Sequence, residues 1–456
     1  MKIKILDAIE CEVSKRDGEI LIPLLSFEAV YWQQGPHTKQ RKVYRKQVFS
    51  HKGKNSWYFY TGLLPRVKAW CKSNNIPLEI DGEELKLKPS AKPFLHGITF
   101  REDQLRLIDA ACKANRGIIV SATGSGKTLM QLGVISCYPK SRALILVHTI
   151  SIVSQTFKAL KDFGFKDIEM FGGGNSAAKP KAKITVSTMQ TWIKLNPEDY
   201  MDRYDIVILD EQHHLQQSDS TYSKILSQML SPIRLGWTAT TRTNDEAILI
   251  SEGLLGPILD RVTIDEATEL NILARPKLKL IKAKCSPQIM DIRKYQDVYT
   301  FGIVENKYRN RQIVEIVEEF YKQKMTTLIF VTQIEHGLIL VDLLEEQLNC
   351  KVPFVRGEMP EEQRTTIKNK LISNQIKVVI ATTSWREGVN VPSLSAVILS
   401  GGGKSEIQTL QGIGRGLRKT KDKDEVVIID FLDLTHTHLI RQTGERLAIY
   451  SENSWI

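Results

Sequence analysis

The sequence predicts an α/β protein with two tandem parallel-sheet domains, preceded by a small α+β N-terminal domain. Short, continuous apolar runs recur along two long stretches of the chain, and helical segments separate them. Continuous runs indicate strands that are buried on both faces, as in a parallel sheet covered by helices. The N-terminal stretch has shorter alternating segments between Gly and Pro residues, which is typical of a small module with antiparallel strands.

In the N-terminal stretch, alternation predicts strands near residues 3–5, 20–25, 57–60 and 85–87. The apolar runs of the first parallel sheet are GIIVS (117–121), ALILV (143–147), ITVS (184–187), DIVILD (205–210) and IRLGWTAT (233–240). Those of the second are TLIFV (327–331), VPFV (352–355), KVVIATT (377–383), AVILS (396–400) and EVVIID (425–430). We therefore expect domains at 1–95, 96–250 and 308–456, with 251–307 as the interdomain connection.

The composition is that of a folded protein with a polyanionic partner. The chain has 456 residues, 42% of them hydrophobic, which suits about two to four packed domains and excludes a disordered tail protein. Lys and Arg outnumber Asp and Glu by 63 to 52, and residues 1–95 hold 17 of these basic and 10 of these acidic side chains. This surplus favours nucleic acid or an acidic membrane surface as a partner of the N-terminal region.

The cysteines and the apolar runs predict a protein of a reducing compartment. No CxxC pair is present, so neither a disulfide framework nor a zinc site is expected. Charged residues interrupt the first 20 positions, and no run approaches the roughly 20 apolar residues of a membrane span. We expect a cytoplasmic protein that does not enter the membrane. The six cysteines are Cys11, Cys71, Cys112, Cys137, Cys285 and Cys350.

Residues 121–128, SATGSGKT, predict a phosphate-binding loop between a strand and a helix. Small residues let backbone amides surround phosphates, Lys127 neutralises their charge, and the Thr128 hydroxyl reaches Mg²⁺. Ser121 replaces the first glycine of the usual pattern, and the alternative interpretation is a helix start that binds no ligand. The residues expected to hold the nucleotide here are Thr123, Gly124, Ser125, Gly126, Lys127 and Thr128.

The run IVILDEQHH (206–214) predicts the carboxylates that a nucleotide-hydrolysing site needs. Asp210 would hold Mg²⁺ through water, and Glu211 would position and activate the attacking water. Taken alone, an Asp-Glu pair after a strand is most often just a polar strand end; the upstream phosphate loop reverses that preference. The HExxH pattern of a zinc site is absent, so we interpret His213 as a coupling residue.

With these two motifs, the chain resembles the DExH-box helicases of superfamily 2, because DEQH (210–213) fits their signature and further motifs follow in order. The resemblance implies two RecA-like domains. It implies that Gln104 reads adenine, and that Thr149, Gln155 and Thr188 contact a nucleic-acid backbone. It also implies that Thr238 and Thr240 link hydrolysis to domain movement.

In the second domain, residues 329–332 and 381–392 resemble the fourth and fifth motifs of this superfamily, and residues 411–418 resemble the sixth. The resemblance implies that Thr332 and Thr382 bind nucleic acid and that Gln411 binds nucleotide. It also implies that Gly388 helps to couple hydrolysis to domain movement. It assigns arginine fingers on the γ-phosphate to Arg415 and Arg418. The chain departs from the family pattern with His148 for a common proline, Gly412 for an arginine and Asn390 for a frequent aspartate.

The N-terminal region combines basic and aromatic residues between positions 31 and 60, where no acidic residue occurs. This composition suits phosphate neutralisation with base stacking, while the alternative is aromatic core residues on strands whose outer faces are basic. The basic residues are Lys39, Arg41, Lys42, Arg45, Lys46, Lys52 and Lys54, and the aromatic ones are Tyr31, Trp32, Tyr44, Trp57 and Tyr58.

These features predict an ATP- and Mg²⁺-dependent DNA helicase or translocase that acts on branched or duplex DNA in recombination and repair. The compact length and basic N-terminal region look most like phage helicases of the UvsW type, which would place a phage-encoded monomer in the host cytoplasm. Three alternatives remain: an RNA helicase, the motor of a restriction system, and an ATP-gated clamp that does not translocate.

Overall fold

The chain folds into two compact units. The computed structural model describes residues 1–34, 39–48, 50–51, 55–122, 124–172, 179–215, 217, 220–239, 245–285, 287–382, 385, 391, 393–402, 424–452 and 455–456. One unit comprises Met1–Ser121 and Gly126–Val262, and the other comprises Thr263–Ile456 with Ala122–Ser125.

The N-terminal region contains a five-stranded sheet and a separate hairpin. Its strands are β1 Lys2–Ile5, β2 Glu10–Ser14, β3 Ser26–Gln34, β4 Lys39–Gln47, β5 Ser50–His51, β6 Ser56–Tyr60 and β7 Glu79–Asp81. The sheet order is β5-β6-β2-β1-β7, in which all neighbours are antiparallel except the parallel pair β1 and β7. β3 and β4 form the hairpin. The predicted small α+β fold is confirmed.

The strand prediction is wrong for residues 20–25 and 85–87. The helix α1, Lys15–Leu21, covers the start of the first segment, and the Ser14 hydroxyl caps it by accepting a hydrogen bond from the Asp17 amide at 3.1 Å. Gly18 and Leu21 are buried one turn apart, so the buried positions follow the period of a helix and not the alternation of a strand. The prediction also missed five strands, which are β2, β3, β4, β5 and β7.

The first parallel sheet has seven strands. They are β8 Arg116–Ser121, β9 Ala143–Val147, β10 Ile168–Phe171, β11 Ile184–Thr188, β12 Ile206–Asp210, β13 Ile233–Thr238 and β14 Ile258–Val262. Their order is β10-β11-β9-β12-β13-β8-β14, and every neighbouring pair is parallel. Every residue of β9 is buried, as expected of a central strand.

The second parallel sheet has six strands in the second unit. They are β15 Arg275–Lys282, β16 Thr327–Val331, β17 Phe354–Val355, β18 Val378–Thr382, β19 Ala396–Leu399 and β20 Glu425–Leu432. Their order is β15-β20-β19-β16-β18-β17, again all parallel. Residues 251–307, predicted as a connection, supply β14 to the first sheet and β15 to the second.

Helices lie between the strands of both sheets. In the first unit, after α1, they are α2 Leu64–Ser73, α3 Glu102–Ala114, α4 Lys127–Ser136, α5 Ile150–Asp162, α6 Met189–Trp192, α7 Thr221–Leu226 and α8 Asp245–Leu255. In the second unit they are α9 Ile264–Glu269, α10 Tyr295–Tyr299, α11 Lys307–Lys322, α12 Ile334–Leu348, α13 Glu361–Ile372 and α14 Thr437–Glu452. Short 3₁₀ turns cover Thr61–Leu63, Pro197–Asp199, Gln212–His214 and Pro287–Asp291, and Thr300–Val304 is a π-helical turn. No helix in the described part of the chain is long and apolar enough to cross a membrane.

The N-terminal region and the first parallel sheet share one hydrophobic core. Side chains of the small sheet, such as Ile3 and Phe59, belong to the same buried cluster as Leu209 of β12 and Leu254 of α8. Buried apolar area contributes roughly 25 cal/mol per Å² to folding, so this shared core makes the N-terminal region an integral part of the first unit. No disulfide bond joins the six cysteines, all of which lie in the described part of the chain.

The second unit buries a network of charges at the end of β20. Arg446 Nε donates to Asp430 Oδ2 at 2.8 Å, and Arg309 Nη1 donates to Asp433 Oδ1. Burial raises the pKa of Asp433, against the lowering effect of the neighbouring arginines. A buried ion pair is strongly destabilised when one partner is removed, because the other charge is left uncompensated. This network therefore makes the end of β20 sensitive to substitution.

We predict that acid weakens the second unit through His336, which is buried on α12. Burial first, and then the charge of Arg309, lower its pKa to about 3, whereas an unfolded histidine titrates near 6.5. Below pH 6.5 the unfolded state therefore binds the proton first, and the free energy of unfolding should fall by at most about 1.4 kcal/mol per pH unit. Urea unfolding of the second unit from pH 7 to pH 5 measures this slope.

The His336→Asn variant should show a shallower slope than the wild type, whereas His96→Asn, which changes an exposed histidine of the first unit, should keep the wild-type slope. Equal slopes in all three proteins would contradict the assignment of this acid sensitivity to His336.

Candidate functional site

Three neighbouring strands of the first sheet end at one edge and bring the predicted nucleotide residues together. β8 ends at Ser121, where the phosphate loop begins, β12 ends at Asp210 and β13 ends at Thr238. In the parallel register Asp210 lies opposite Trp237, and Thr238 lies opposite Val120. The carboxyl edge of a parallel sheet is the usual place for a ligand site, and here it collects all three motifs.

The phosphate loop depends on two glycines in left-handed backbone conformations. Gly124 has φ +93° and Gly126 has φ +99°, values that a residue with a side chain rarely adopts. A Cβ atom on Gly126 would lie 2.6 Å from Gln104 Nε2, so this position also requires glycine for space. Gly126 is the N-cap of α4, and the Ser125 amide donates to the Ala122 carbonyl at 3.2 Å. The close approach at Gly126 places the buried Gln104 directly beside the loop.

Lys127, the first residue of α4, carries a buried ammonium group. Its side chain is 10% exposed, and Nζ has no hydrogen-bond partner among the residues that the structure describes. Glu211 Oε1 lies 3.8 Å away, which is close enough for electrostatic attraction but too far for a hydrogen bond. An unsatisfied ammonium at a helix N-terminus fits an anionic ligand such as a nucleotide phosphate.

Gln131 holds the carboxylate that was predicted to serve Mg²⁺. Its Nε2 donates to Asp210 Oδ1 at 2.8 Å from a buried position one turn after Lys127 on α4. This hydrogen bond fixes the direction of the carboxylate, as outer-shell partners orient metal ligands. Thr128 is half-buried at the start of the same helix. The donor set of one hydroxyl and one carboxylate fits Mg²⁺, which keeps several water ligands.

Glu211 sits in a strained backbone conformation and contacts the predicted coupling residues. Its φ of +50° is left-handed, which for a residue with a side chain costs of the order of 1–3 kcal/mol. Glu211 Oε2 lies 3.4 Å from His213 Nδ1, and the same nitrogen lies 3.3 Å from Thr238 Oγ1. The structure thus joins the carboxylate to the end of β13 through one imidazole.

A ring cluster surrounds His214, the residue after the predicted coupling histidine. Its ring stacks on His148 at a centroid distance of 4.8 Å and on Tyr222 at 5.9 Å, and it contacts His213 at 4.4 Å. His148 follows β9 at the position where the family pattern has proline. The histidine therefore contributes an aromatic stacking contact to His214, directly after the DEQH segment.

The nucleic-acid residues predicted in the first unit lie at helix starts. The Thr149 hydroxyl caps α5 by accepting from the Ile152 amide at 3.3 Å, and the Thr188 hydroxyl caps α6 by accepting from the Thr191 amide at 3.2 Å. Thr188 is buried, with 6% of its surface exposed. Gln155 is exposed on α5 and donates to Ser151 Oγ at 3.3 Å.

In the second unit, two of the predicted residues lie at the ends of adjacent strands. Thr382, the last residue of β18, is buried and lies opposite Val331 of β16. Thr332 follows that residue and is exposed. The predictions for Thr123, Thr240, Gly388, Gln411, Arg415 and Arg418 lie outside the described residues.

Three side chains hold the backbone just after β19, ahead of the predicted sixth motif. Tyr299 donates its hydroxyl to the Gly401 carbonyl at 2.6 Å, Arg446 Nη1 donates to the Gly402 carbonyl at 2.8 Å, and Arg309 Nη2 donates to the Ser400 carbonyl at 3.2 Å. These contacts hold the backbone of the last described residues after β19.

The basic residues of the N-terminal region lie mainly on the hairpin β3–β4. Its backbone register places Lys42 opposite Tyr31 and Arg41 opposite Trp32. Arg45 is exposed, while for Lys39, Arg41, Lys42 and Lys46 the backbone alone is described, and Lys52 and Lys54 lie outside the described residues. Of the aromatic residues in this stretch, Trp57 and Tyr58 are half-buried in β6, whereas the backbone alone is described for Tyr31, Trp32 and Tyr44.

The sequence interpretation missed three groups that support the site. Gln131 could have been found from its position four residues after Lys127, on the same face of α4. The stacking of His148 and Tyr222 on His214 and the contact of Ser251 with Gln212 join distant segments. No spacing rule would have identified those contacts.

Two family models match the chain at the two parallel sheets. Residues 97–243 match the model of the type III restriction enzyme res subunit, and residues 308–420 match the helicase conserved C-terminal domain.

Among curated relatives, the DNA 3'-5' translocase XPB2 of Sulfurisphaera tokodaii is 26% identical over 391 residues, which cover 77% of this chain and 85% of the relative. The ATP-dependent DNA helicase uvsW of Enterobacteria phage T4 is 26% identical over 340 residues, which cover 70% of this chain and 65% of that protein. The chain therefore spans just under two thirds of the phage relative.

Two solved structures share the fold. The helicase domain of Pyrococcus furiosus Hef has a TM-score of 0.53 at 15% identity, covering 77% of this chain and 98% of that one. The type ISP restriction-modification enzyme LlaBIII, solved bound to DNA, has a TM-score of 0.59 at 18% identity, covering 79% of this chain and 30% of that one. At these identities the likeness supports the two-domain α/β fold alone.

We predict that Gln131→Leu raises the Mg²⁺ concentration needed for half-maximal ATP hydrolysis by about tenfold, because Asp210 loses the amide that orients it. Titration of Mg²⁺ at saturating ATP measures this shift. Gln228→Leu is the matched control, since it removes a glutamine that accepts the Tyr200 hydroxyl at 3.0 Å elsewhere in the same unit. Equal Mg²⁺ requirements in the two variants would contradict the role of Gln131.

Proposed function

The chain is an ATP-dependent helicase of superfamily 2, and we propose that it couples ATP hydrolysis to movement along branched or duplex DNA, which it unwinds or remodels in recombination and repair. The observation that carries this proposal is the buried Lys127 ammonium beside Glu211, at the edge where three strands of the first sheet end. This edge supplies a phosphate-binding cation, a carboxylate that can activate water, and a histidine that contacts a neighbouring strand.

In the proposed reaction each side chain has a defined task. Lys127 neutralises the phosphate charge that grows as the γ-phosphoryl group leaves, and Glu211 orients the attacking water and accepts its proton. Asp210, oriented by Gln131, and Thr128 would hold Mg²⁺, which supplies additional neutralisation of the phosphate oxygens. Gln104, which lies beside Gly126, would read the adenine base.

The proposed link from hydrolysis to movement begins at His213. Its Nδ1 contacts both Glu211 and Thr238, so a change in the charge or position of Glu211 reaches the end of β13 directly. Thr240 and Gly388 extend this link in the family pattern. Gln411, Arg415 and Arg418 complete the nucleotide site in the same pattern, from the second domain.

DNA is the proposed track because the names of two relatives describe a DNA translocase and a DNA helicase. The basic N-terminal region, which forms one core with the first sheet, adds a surface that suits phosphate contacts. A single chain contains both helicase domains, so we propose that it acts as a monomer. We also propose the cytoplasmic location that the sequence predicts. The RNA helicase is the rival, since backbone contacts alone do not distinguish the two nucleic acids.

The steady-state ATPase rate with different nucleic acids tests this function. The panel contains no nucleic acid, single-stranded DNA, duplex DNA, a four-way DNA junction and a matched RNA duplex. We expect stimulation by DNA that is strongest with the junction. Stimulation by RNA alone would replace the proposal with an RNA helicase, and a rate that no nucleic acid changes would overturn it.

The same ATPase assay, applied to variants, tests whether hydrolysis takes place at the proposed site. Glu211→Gln removes the proton acceptor and should lower the DNA-stimulated rate by about 10²-fold or more while nucleotide binding persists. Glu198→Gln changes an exposed glutamate of the same unit and should keep the wild-type rate. Normal turnover in Glu211→Gln would show that another group activates the water.

We predict that charge reversal on the hairpin weakens DNA binding and flattens its salt dependence, because a phosphate that the protein does not neutralise keeps its counterion. The variant changes Arg41, Lys42, Arg45 and Lys46 to Glu. Binding of a four-way junction at several salt concentrations gives the slope of log affinity against log salt. This slope should decrease by about one unit for each phosphate that the variant leaves without a basic partner.

The control variant reverses four exposed lysines of the same region, and thus makes an equal change in net charge. They are Lys68, Lys72, Lys86 and Lys88. A salt slope that changes equally in both variants would indicate a general charge effect and would remove the hairpin from the proposed DNA-binding surface.

A further inference from the structure

Three consecutive residues of α8 contact two different parts of the first unit. Ser251 contacts the DEQH segment, whereas Glu252 and Gly253 contact the N-terminal region. Arg234 fixes the end of the same helix, since its fully buried guanidinium donates to the Leu254 carbonyl at 2.6 Å. The helix therefore contacts both the predicted DNA-binding region and the catalytic segment.

Ser251 holds both sides of the turn that follows Glu211. Its Oγ accepts a hydrogen bond from Gln212 Nε2 and donates to the Leu215 carbonyl at 3.3 Å. Gln212 begins the 3₁₀ turn Gln212–His214, and Leu215 follows it. Gln212 and Ser251 are both buried, so these hydrogen bonds form away from water. One hydroxyl thus ties the whole turn to α8.

The turn held by Ser251 sets the position of the catalytic carboxylate. Glu211 is the N-cap of the turn, and its left-handed backbone persists only if the surrounding contacts maintain it. His213, within the turn, lies 3.4 Å from Glu211 Oε2. Removing the Ser251 hydroxyl would let the turn shift, and both the carboxylate and its histidine neighbour would shift with it.

The next two residues of α8 bind the N-terminal region closely. Glu252 Oε2 accepts hydrogen bonds from Arg66 Nε at 2.9 Å and Nη2 at 2.6 Å, a two-point ion pair between α2 and α8. A Cβ on Gly62 would lie 2.1 Å from the Glu252 carbonyl oxygen, and one on Gly253 would lie 2.9 Å from the Tyr60 ring. The backbones therefore meet without intervening side chains, and a small displacement of one segment moves the other.

We propose that Ser251 is a positioning residue for ATP hydrolysis, and that α8 transmits the DNA-bound state of the N-terminal region to Glu211 through Ser251 and Gln212. The inference rests on the proposed function, because it assumes that DNA binds the N-terminal region and that Glu211 activates water. It adds a route within the first unit by which DNA stimulates hydrolysis.

The first test compares Ser251→Ala with Ser231→Ala. Ser231 is a buried serine of the same unit whose hydroxyl has no hydrogen-bond partner among the described residues, so its variant controls for the removal of a buried hydroxyl. We expect Ser251→Ala to lower kcat of the DNA-stimulated ATPase by about tenfold while KM for ATP changes less than about twofold. Ser231→Ala should leave both constants unchanged.

A merely structural role would give a different result. Equal kcat values in the two variants would overturn the proposal, as would a defect in Ser251→Ala that appears in KM alone. The thermal unfolding midpoints of both variants show whether Ser251→Ala is folded at the assay temperature. If Ser251→Ala does not fold, Ser251→Thr, which keeps a hydroxyl, should restore kcat; a folded Thr variant without activity would also overturn the proposal.

The second test examines the ion pair between α2 and α8. Glu252→Gln should lower the ratio of DNA-stimulated to unstimulated hydrolysis by about threefold or more, because Arg66 no longer holds α8 through a charged pair. Asp260→Asn is the matched control, since Asp260 forms an ion pair with Arg106 at 3.0 Å in the same unit. Equal ratios in the two variants would contradict transmission through α8.

These outcomes separate the inference from the proposed function. A wild-type ATPase that DNA does not stimulate would contradict the function itself. A wild-type ATPase that DNA stimulates, together with normal values in Ser251→Ala and Glu252→Gln, would preserve the function and overturn the inference alone.

Discussion

The burial of Lys127 beside Glu211 is the interaction on which the site depends. The two side chains are 10% and 9% exposed, and their charged atoms are 3.8 Å apart. Removing an ammonium from water costs several kcal/mol, which a carboxylate at this distance offsets only in part. The remaining unsatisfied charge makes the site favourable for phosphate, and the parallel register that places both residues at one edge is therefore a condition for binding nucleotide.

Each proposed catalytic group is held by a residue that does not itself react. Gln131 orients Asp210, and His213 lies against Glu211. Ser251 of α8 holds the turn that follows Glu211 through its hydrogen bond with Gln212. Such support explains how a left-handed glutamate backbone is maintained at the end of β12. Small errors in position matter in proton transfer, so these supporting contacts belong to the mechanism as much as the carboxylates do.

The N-terminal region shares its core with the first parallel sheet, and under the proposed function this core gives DNA binding a direct route to the hydrolysis site. A separately tethered module could only raise the local concentration of DNA. A region whose backbone meets α8 at Gly62 and Gly253 can instead pass a displacement to the DEQH segment directly. In the second unit, the buried network around Arg309 and Arg446 holds the backbone at Ser400 and Gly402, just after β19.

The sequence by itself predicted the two parallel sheets, without their strands β10, β14 and β15, and it led to the proposed chemistry of the ATP site. Continuous apolar runs such as ALILV at β9 have few structural solutions, and the phosphate loop and DEQH segment are local patterns whose chemistry needs those residues in that order. Only the tertiary structure showed that residues 20–21 belong to helix α1 and not to a strand. It alone also revealed the contacts of Gln131 with Asp210 and of Ser251 with Gln212. Those partners lie 79 and 39 residues apart, and their contact depends on strand register and helix packing, which no local pattern encodes.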